Sequence, residues 1–447
     1  MNKTIKTILT GAAVFAAAAL ILTAVLVLSN GIPRSAMKKN ILASAEYLCE
    51  GDMFAFEWES VAASRMDHYA DSILLGIAWQ TDGDHPLENV MRSAYYHDPL
   101  KEENENLLDA VRDDLPSNQE YMRYWHGSVA LVRPLLTVMS VRDMYVFFAV
   151  LMVILIALLI IMLARRRALS PVIGLGAGLI MTAAWFVPES LEYTWCYLLA
   201  LVFSILAVIR STRKNMLPAA VFFMLAGMLT SYMDFLTTET LTLTIPLLIM
   251  LYLEKNGDGS AAGSGRDDST KERKGLAASV RMVISAAAGW FAGYACMWAL
   301  KWILAALVTH ADMRSIVMEH VTERLVGDVS NLQIIADSYY GFSISRNITA
   351  LLPFGLGNGG LFAGVIIIIA CIYFGFVYRR KVFDRAKILA FSVVGLVPYL
   401  RYLVVYNHSY IHYFFTFRAQ MATVLAIALI LGELLGTGRK KQRKGCR

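Results

Sequence analysis

Residues 143–167 read DMYVFFAVLMVILIALLIIMLARRR. After Asp143 no charge interrupts the run until Arg165, Arg166 and Arg167 end it. An apolar stretch of this length crosses the ~30 Å hydrocarbon core of a bilayer as an α-helix. Three arginines at one end mark that end as the cytoplasmic one. The rest of the chain repeats the pattern. Of its 447 residues, 57% are hydrophobic and 17% are charged, against ~25% charged in a soluble domain. Mean hydropathy is +0.52. The fold class that follows is an all-α polytopic membrane protein with about ten transmembrane helices. Their expected bounds are 8–29, 143–164, 171–188, 191–209, 216–232, 240–254, 281–308, 350–378, 387–405 and 414–436.

Basic residues set the expected topology. Lys3 and Lys6 precede the first span, and Arg165 to Arg167 follow the second. Arg210, Arg213 and Lys214 follow the fourth. Lys255, Arg266, Lys271, Arg273 and Lys274 lie in the segment 255–280, and Arg379, Arg380, Lys381 and Arg385 follow the eighth span. The tail 437–447 contains GRKKQRKGCR. With ten spans all six groups fall on one side, which the positive-inside rule makes the cytoplasm. Both termini are then inside, and residues 1–436 form one integral domain of the cell membrane. The net charge of +6 is accounted for by these loops and does not point to a nucleic-acid partner.

Two long segments are expected outside, 30–142 and 309–349, together with the short turn 406–413. In the first, the apolar stretches Ile41–Phe56, Ile73–Trp79 and Val129–Met139 alternate with acidic clusters. That pattern predicts amphipathic helices lying on the outer leaflet. Residues 256–270, NGDGSAAGSGRDDST, read as a flexible cytoplasmic linker. Of the five cysteines only Cys49 falls in the large outer loop, so no disulfide framework is implied. The first apolar run is longer than the core of a signal peptide and reads as an uncleaved helix, with cleavage near Ser35–Ala36 the lesser alternative.

No P-loop, GxSxG elbow, HExxH or dinucleotide fingerprint occurs. GLGNGG at 355–360 opens an apolar span and reads as a packing feature. Without a nucleotide site, any reaction would use a pre-activated substrate, at the outer face. Four segments hold the candidate chemistry. RMDHYADSILLGIA (65–78) carries Asp67 and Asp71 four apart, hence on one face of a helix. Neighbouring carboxylates raise one another's pKa, which suits a general base or a metal ligand, but a solvated helix face has the same pattern. YMRYWHGSVALVRPLL (121–136) places Arg123 and His126 among aromatics, as an interfacial belt or an oxyanion site would. Asp234, in SYMDFLTTET, lies between two short spans, either as a functional carboxylate or as an ion-pair partner of Arg401 or Arg418. NHSYIHYFFTFR (407–418) sets Asn407, His408, His412 and Arg418 at the mouth of the last span. Arg418 either snorkels or pairs there, or it binds an anionic head group. Glu189 and Glu192, in VPESLEY (187–193), read as solvated turn residues.

The layout of a first span, a long acidic outer loop and a late arginine near the outer end of a helix resembles the GT-C superfamily of integral-membrane glycosyltransferases. DHYADSILL and RYWHGSVALVRPLL resemble that superfamily's acidic loop-one region and its segment before the second span. The resemblance implies transfer of a sugar from a polyprenyl-phosphate donor to an acceptor at the outer face of the membrane. It implies Asp71 or Asp67 as base, with Arg123, His126, His408, His412 and Arg418 about the phosphate. A divalent metal is compatible with it, and membrane lipids are further partners. Two other classes fit the same features: a transporter or flippase built around Asp234 and the intramembrane arginine, and a non-catalytic membrane assembly partner.

Overall fold

The computed structural model describes residues 3–59, 61–81, 83–213, 216–233, 236–254, 268–318, 339–351, 358–379 and 383–436. Among these residues there is no β-strand, only the isolated bridges Phe56–Arg65 and Tyr95–Gln119. The first helices are α1 (Lys3–Ser29), α2 (Arg34–Leu48), α3 (His68–Gln80), α4 (Pro86–Arg92), α5 (Glu103–Arg112) and α6 (Val129–Leu136). They are followed by α7 (Val141–Arg165), α8 (Leu169–Met181), α9 (Leu191–Arg210), α10 (Ala219–Met233), α11 (Leu241–Leu253) and α12 (Asp268–Thr309). Later helices are named by their bounds. Among the described residues, six helical segments are long and apolar enough to cross a membrane: Thr4–Ser29, Val141–Arg165, Leu191–Arg210, Arg273–Thr309, Arg385–Val404 and Tyr413–Leu435. α8, α10 and α11 are shorter apolar helices, and Asn358–Val377 lies over the expected eighth span. α10 and α11 are short, as the sequence suggests, at 15 and 13 residues.

The faces of these helices explain their setting. In α7 the buried residues Val141, Met144, Tyr145, Phe148, Met152, Leu159 and Leu163 recur at helical spacing and form one stripe. Between them Val146, Val153 and Ile154 are exposed. On α1, Leu20 and Leu28 are more than 70% exposed. Apolar surface of this extent requires lipid rather than water beside it.

Residues 30–140 do not form the surface-lying amphipathic layer expected of them. α3 is buried over 11 of its 13 residues, including Ile73, Leu74 and Leu75, which the sequence reading turned toward the membrane. Asp71 and Gln80 hydrogen-bond neighbouring segments and only Tyr69 and Ala70 are not buried, so α3 is the centre of a packed helical unit. α5 is the amphipathic member, and it rests Leu107, Ala110 and Val111 on this unit. Arg133 in α6 fastens the unit to the bundle. It is fully buried, and its guanidinium donates to the carbonyls of Ser29 (2.9 Å), Thr81 (2.9 Å), Ala78 and Ile32. The carbonyls of Ser29, Ala78 and Thr81 end α1 and α3, where the helix dipole favours a cation. Lys301 of α12 does the same for α4, donating to the carbonyls of Val90 (2.6 Å) and Met91 (3.0 Å).

α10 and α12 cross at backbone contact. A Cβ added at Gly227 would stand 2.0 Å from the Trp290 carbonyl oxygen, and one at Gly293 would stand 2.1 Å from that of Met224. Glycine alone permits this approach, the small-xxx-small arrangement of membrane helix pairs. The close crossing brings Trp298 and Trp302 of α12 against the end of the loop-one unit. Both indole N–H groups donate to the Arg123 carbonyl, at 2.7 and 3.1 Å.

Candidate functional site

A cavity of about 420 Å³ opens where α3, the segment 121–126, the N-terminal end of α9 and the turn 408–415 meet. Asp67, Glu192, Arg123, His126, His408 and His412 line it, with Tyr69, Tyr121 and Phe415 among the aromatic walls. Five residues singled out in the sequence, Asp67, Arg123, His126, His408 and His412, therefore converge although up to about 345 positions separate them.

Asp67 and Asp71 stand four positions apart at the start of α3, both buried, and their partners separate their roles. Asp67 is the N-cap of α3 and accepts from the Ala70 N–H at 3.0 Å. It is 4% exposed and lines the cavity. The side chain of Glu192 hydrogen-bonds it, so two carboxyl groups meet at this wall of the cavity. Burial pushes the Asp67 carboxyl above the usual aspartate range, against the hydrogen bonds from Ala70 and Glu192 and the charge of Arg65. Asp71 does not line the cavity. It accepts from Tyr145 Oη (2.5 Å), the backbone N–H of Leu191 (3.0 Å) and of Glu192 (3.2 Å), and Ser190 Oγ (3.3 Å). It thus closes the N-terminus of α9 from another helix. Burial raises its pKa to about 7 even so.

Glu192 departs from the sequence reading. It is 7% exposed, in the first turn of α9, not solvated. Its position depends on Asp71 drawing the end of α9 onto α3, a contact between residues 121 apart.

The opposite wall is cationic and imidazole-bearing. The Arg123 guanidinium lies 4.4 Å from the centroid of the Tyr121 ring and donates to Tyr121 Oη at 2.8 Å. His126 takes a left-handed backbone, φ 52°, and is 2% exposed. Its Nε2–H donates to the Tyr121 carbonyl at 3.2 Å. Burial, with the charges of Lys301 and Arg123, holds its pKa well below the histidine range, so the ring is neutral at pH 7. The His408 and His412 rings lie 4.6 Å apart, and His412 stacks on Phe415 at 5.2 Å.

Arg401, Asn407 and Arg418 do not line the cavity. Arg401 forms a buried ion pair with Glu239, Nε to Oε1 2.7 Å, and also donates to Ser409 Oγ (2.8 Å), the Leu236 carbonyl (2.6 Å) and His408 Nδ1 (3.4 Å). A guanidinium only donates, so Nδ1 of His408 accepts and the neutral ring carries its proton on Nε2. Asn407 is buried in the helix Tyr406–Ile411. Arg418 is 1% exposed and donates to the carbonyls of Phe414 (3.2 Å) and Ala63 (2.6 Å). It braces the strand of chain that delivers Asp67. Asp234 lies outside the described residues. Among the described residues no three His, Cys, Asp or Glu side chains are grouped as a metal site would group them.

A scan against protein-family models, a search of curated proteins and a search of solved structures find no match to this chain.

Proposed function

We propose that the cavity transfers a sugar from a polyprenyl-phosphate donor to an acceptor hydroxyl, at the outer face of the cell membrane. The reading keeps ten spans with both termini in the cytoplasm, which puts residues 30–142 and the cavity outside. The observation that carries it is the opposition, in one cavity beside apolar helices, of the Asp67–Glu192 carboxyl pair to Arg123, His126, His408 and His412. A hydroxyl that must lose its proton and a phosphate that must gain charge require walls of this kind.

In the reaction, the acceptor oxygen attacks the anomeric carbon, and its proton passes to the carboxyl pair. The bond between that carbon and the phosphate oxygen breaks, and its electron pair stays on the phosphate. Arg123 and the Nε2–H of His408 meet that charge as it develops, while His126, whose one N–H is held by the Tyr121 carbonyl, shapes the wall. The assignment of the base moves to Asp67, because the carboxylate of Asp71 is engaged by the end of α9.

The test uses the full chain in lipid nanodiscs with a panel of undecaprenyl-phosphate hexoses, following release of undecaprenyl phosphate. Asparagine is as good an N-cap as aspartate, so Asp67→Asn should fold normally and lose about 10²- to 10⁴-fold in turnover. Glu192→Gln should lose a smaller factor, since Asp67, the assigned base, remains. Undiminished turnover in the double variant would exclude the carboxyl pair as base. Absence of turnover by the unaltered protein on every donor, with no binding of undecaprenyl phosphate, would remove the reading altogether.

A further inference from the structure

A second cavity, of about 360 Å³, adjoins the first and shares four of its walls: Tyr69, Ile73, Tyr121 and Arg123. Its remaining walls are Tyr95, Gln119, Glu120, Met122 and Ile316. We propose that this annex binds the acceptor, and that the acceptor is a neutral pyranose. The inference rests on the reading of the first cavity as the donor and transfer site.

The chemistry of the walls carries the assignment. Three tyrosines contribute to one small chamber, with the Tyr95 and Tyr121 ring centroids 6.4 Å apart. A pyranose has apolar C–H faces and a rim of hydroxyls, and tyrosine offers a ring face and a hydroxyl in one rigid side chain. Gln119 adds an amide that both donates and accepts. The chamber is built rather than incidental. The Tyr95 N–H donates to the Gln119 carbonyl at 2.9 Å, and the Gln119 N–H donates to the Tyr95 carbonyl at 3.0 Å. These bonds tie the two walls together. Glu120 pairs with Arg92, which also pairs with Glu88 at 2.9 Å. Arg123 stands at the junction with the first cavity, and among the described residues no other cationic side chain lines the annex. The volume lies at the low end for a small-molecule site and suits one or two sugar rings. Every wall except Ile316 comes from residues 30–142, so the proposed topology opens the annex to water rather than to lipid. A sugar seated against Tyr69 and Tyr121 would direct a hydroxyl through the shared wall toward Asp67.

Saturation-transfer NMR tests this on the nanodisc-embedded protein, with methyl glucoside, methyl galactoside, methyl mannoside and methyl N-acetylglucosaminide as probes. At least one glycoside should show transfer to its ring C–H protons. Gln119→Ala, an exposed position, and Tyr95→Phe, which keeps the ring, should each weaken that binding about tenfold. Undecaprenyl phosphate should not displace the glycoside, and both variants should bind undecaprenyl phosphate as the unaltered protein does. No glycoside signal, or a signal untouched by both variants, or displacement by undecaprenyl phosphate would overturn the acceptor site. Loss of undecaprenyl phosphate binding in the unaltered protein would instead strike the donor reading, so the two failures are distinct.

Discussion

At the scale of single residues, the same side-chain type takes opposite roles one helical turn apart. Asp67 faces the cavity and Asp71 faces a helix end, and only the packed neighbours decide which is which. This gives a pH signature. Unfolded, Asp71 titrates near ~3.9; folded, at about 7. Below about pH 4 both states hold the proton and its contribution to stability is complete. Between about pH 4 and 7 only the folded state holds it, so stability falls as pH rises, and the contribution is gone above about pH 7. Asp71→Asn keeps a carbonyl acceptor for α9 but does not titrate. The stability of the native protein relative to this variant should therefore decline from pH 4.5 to 7.5 in thermal unfolding of nanodisc samples. A relative stability that rises over this range would contradict the burial argument. His408 offers a second residue-level test. The Arg401–Glu239 pair leaves its proton on Nε2, so His408→Gln, whose amide falls near Nε2, should bind undecaprenyl phosphate within a few-fold of the native protein. His408→Asn, which mimics Nδ1, should bind about tenfold more weakly. Equal binding by the two would mean that Nε2–H does not serve the ligand. The residues that meet at the cavity were largely legible in the sequence, because histidines and charges flanking apolar runs stand out against 17% charged composition. Glu192 and the Glu239–Arg401 pair were not. Their partners are 125 and 162 residues away, and no local pattern encodes such contacts.

At the scale of elements, periodicity and length served unevenly. α7 could be read directly, since its apolar run matches the bilayer and its buried stripe follows the helical repeat. α3 could not. Its run of Ile73, Leu74 and Leu75 fits a membrane-facing stripe as well as a helix buried on all sides, and the composition of 13 residues cannot distinguish the two. The difference comes from α2, α5 and α6 surrounding it, which is a tertiary matter. The α10–α12 crossing was likewise hidden, although Gly289 and Gly293 stand four apart as close helix pairs require. Gly293→Ala would drive a methyl group to within 2.1 Å of the Met224 carbonyl oxygen, so the helices must separate. The expected cost is roughly 1–3 kcal/mol. Because Trp298 and Trp302 hold the Arg123 carbonyl, faster hydrogen exchange at residues 121–126 should accompany it. A variant with unchanged thermal stability and unchanged exchange there would show that the crossing is looser than its geometry.

At the scale of the whole molecule, hydropathy and charge placement were enough to say that this is a helical membrane protein, and the arginine-rich loops suggested an orientation. The count of spans was less accessible, because α8, α10 and α11 are too short to stand out by length. The proposed orientation can be checked directly. In a background without native cysteines, Asp113→Cys, at an exposed position of loop one, should react with a membrane-impermeant maleimide in intact cells. Arg213→Cys, exposed after α9, should react only after the membrane is permeabilised. The reverse pattern would place the cavity in the cytoplasm and end the proposal of outer-face chemistry. The clasp of Asp71 on the start of α9 also has a bearing on biogenesis. Its partner is 120 residues further along the chain, so loop one leaves the ribosome well before the helix it will cap. A nascent chain that has not yet reached residue 191 carries an aspartate prepared for an amide end that does not exist. A chain whose loop has misfolded leaves that amide end without its cap.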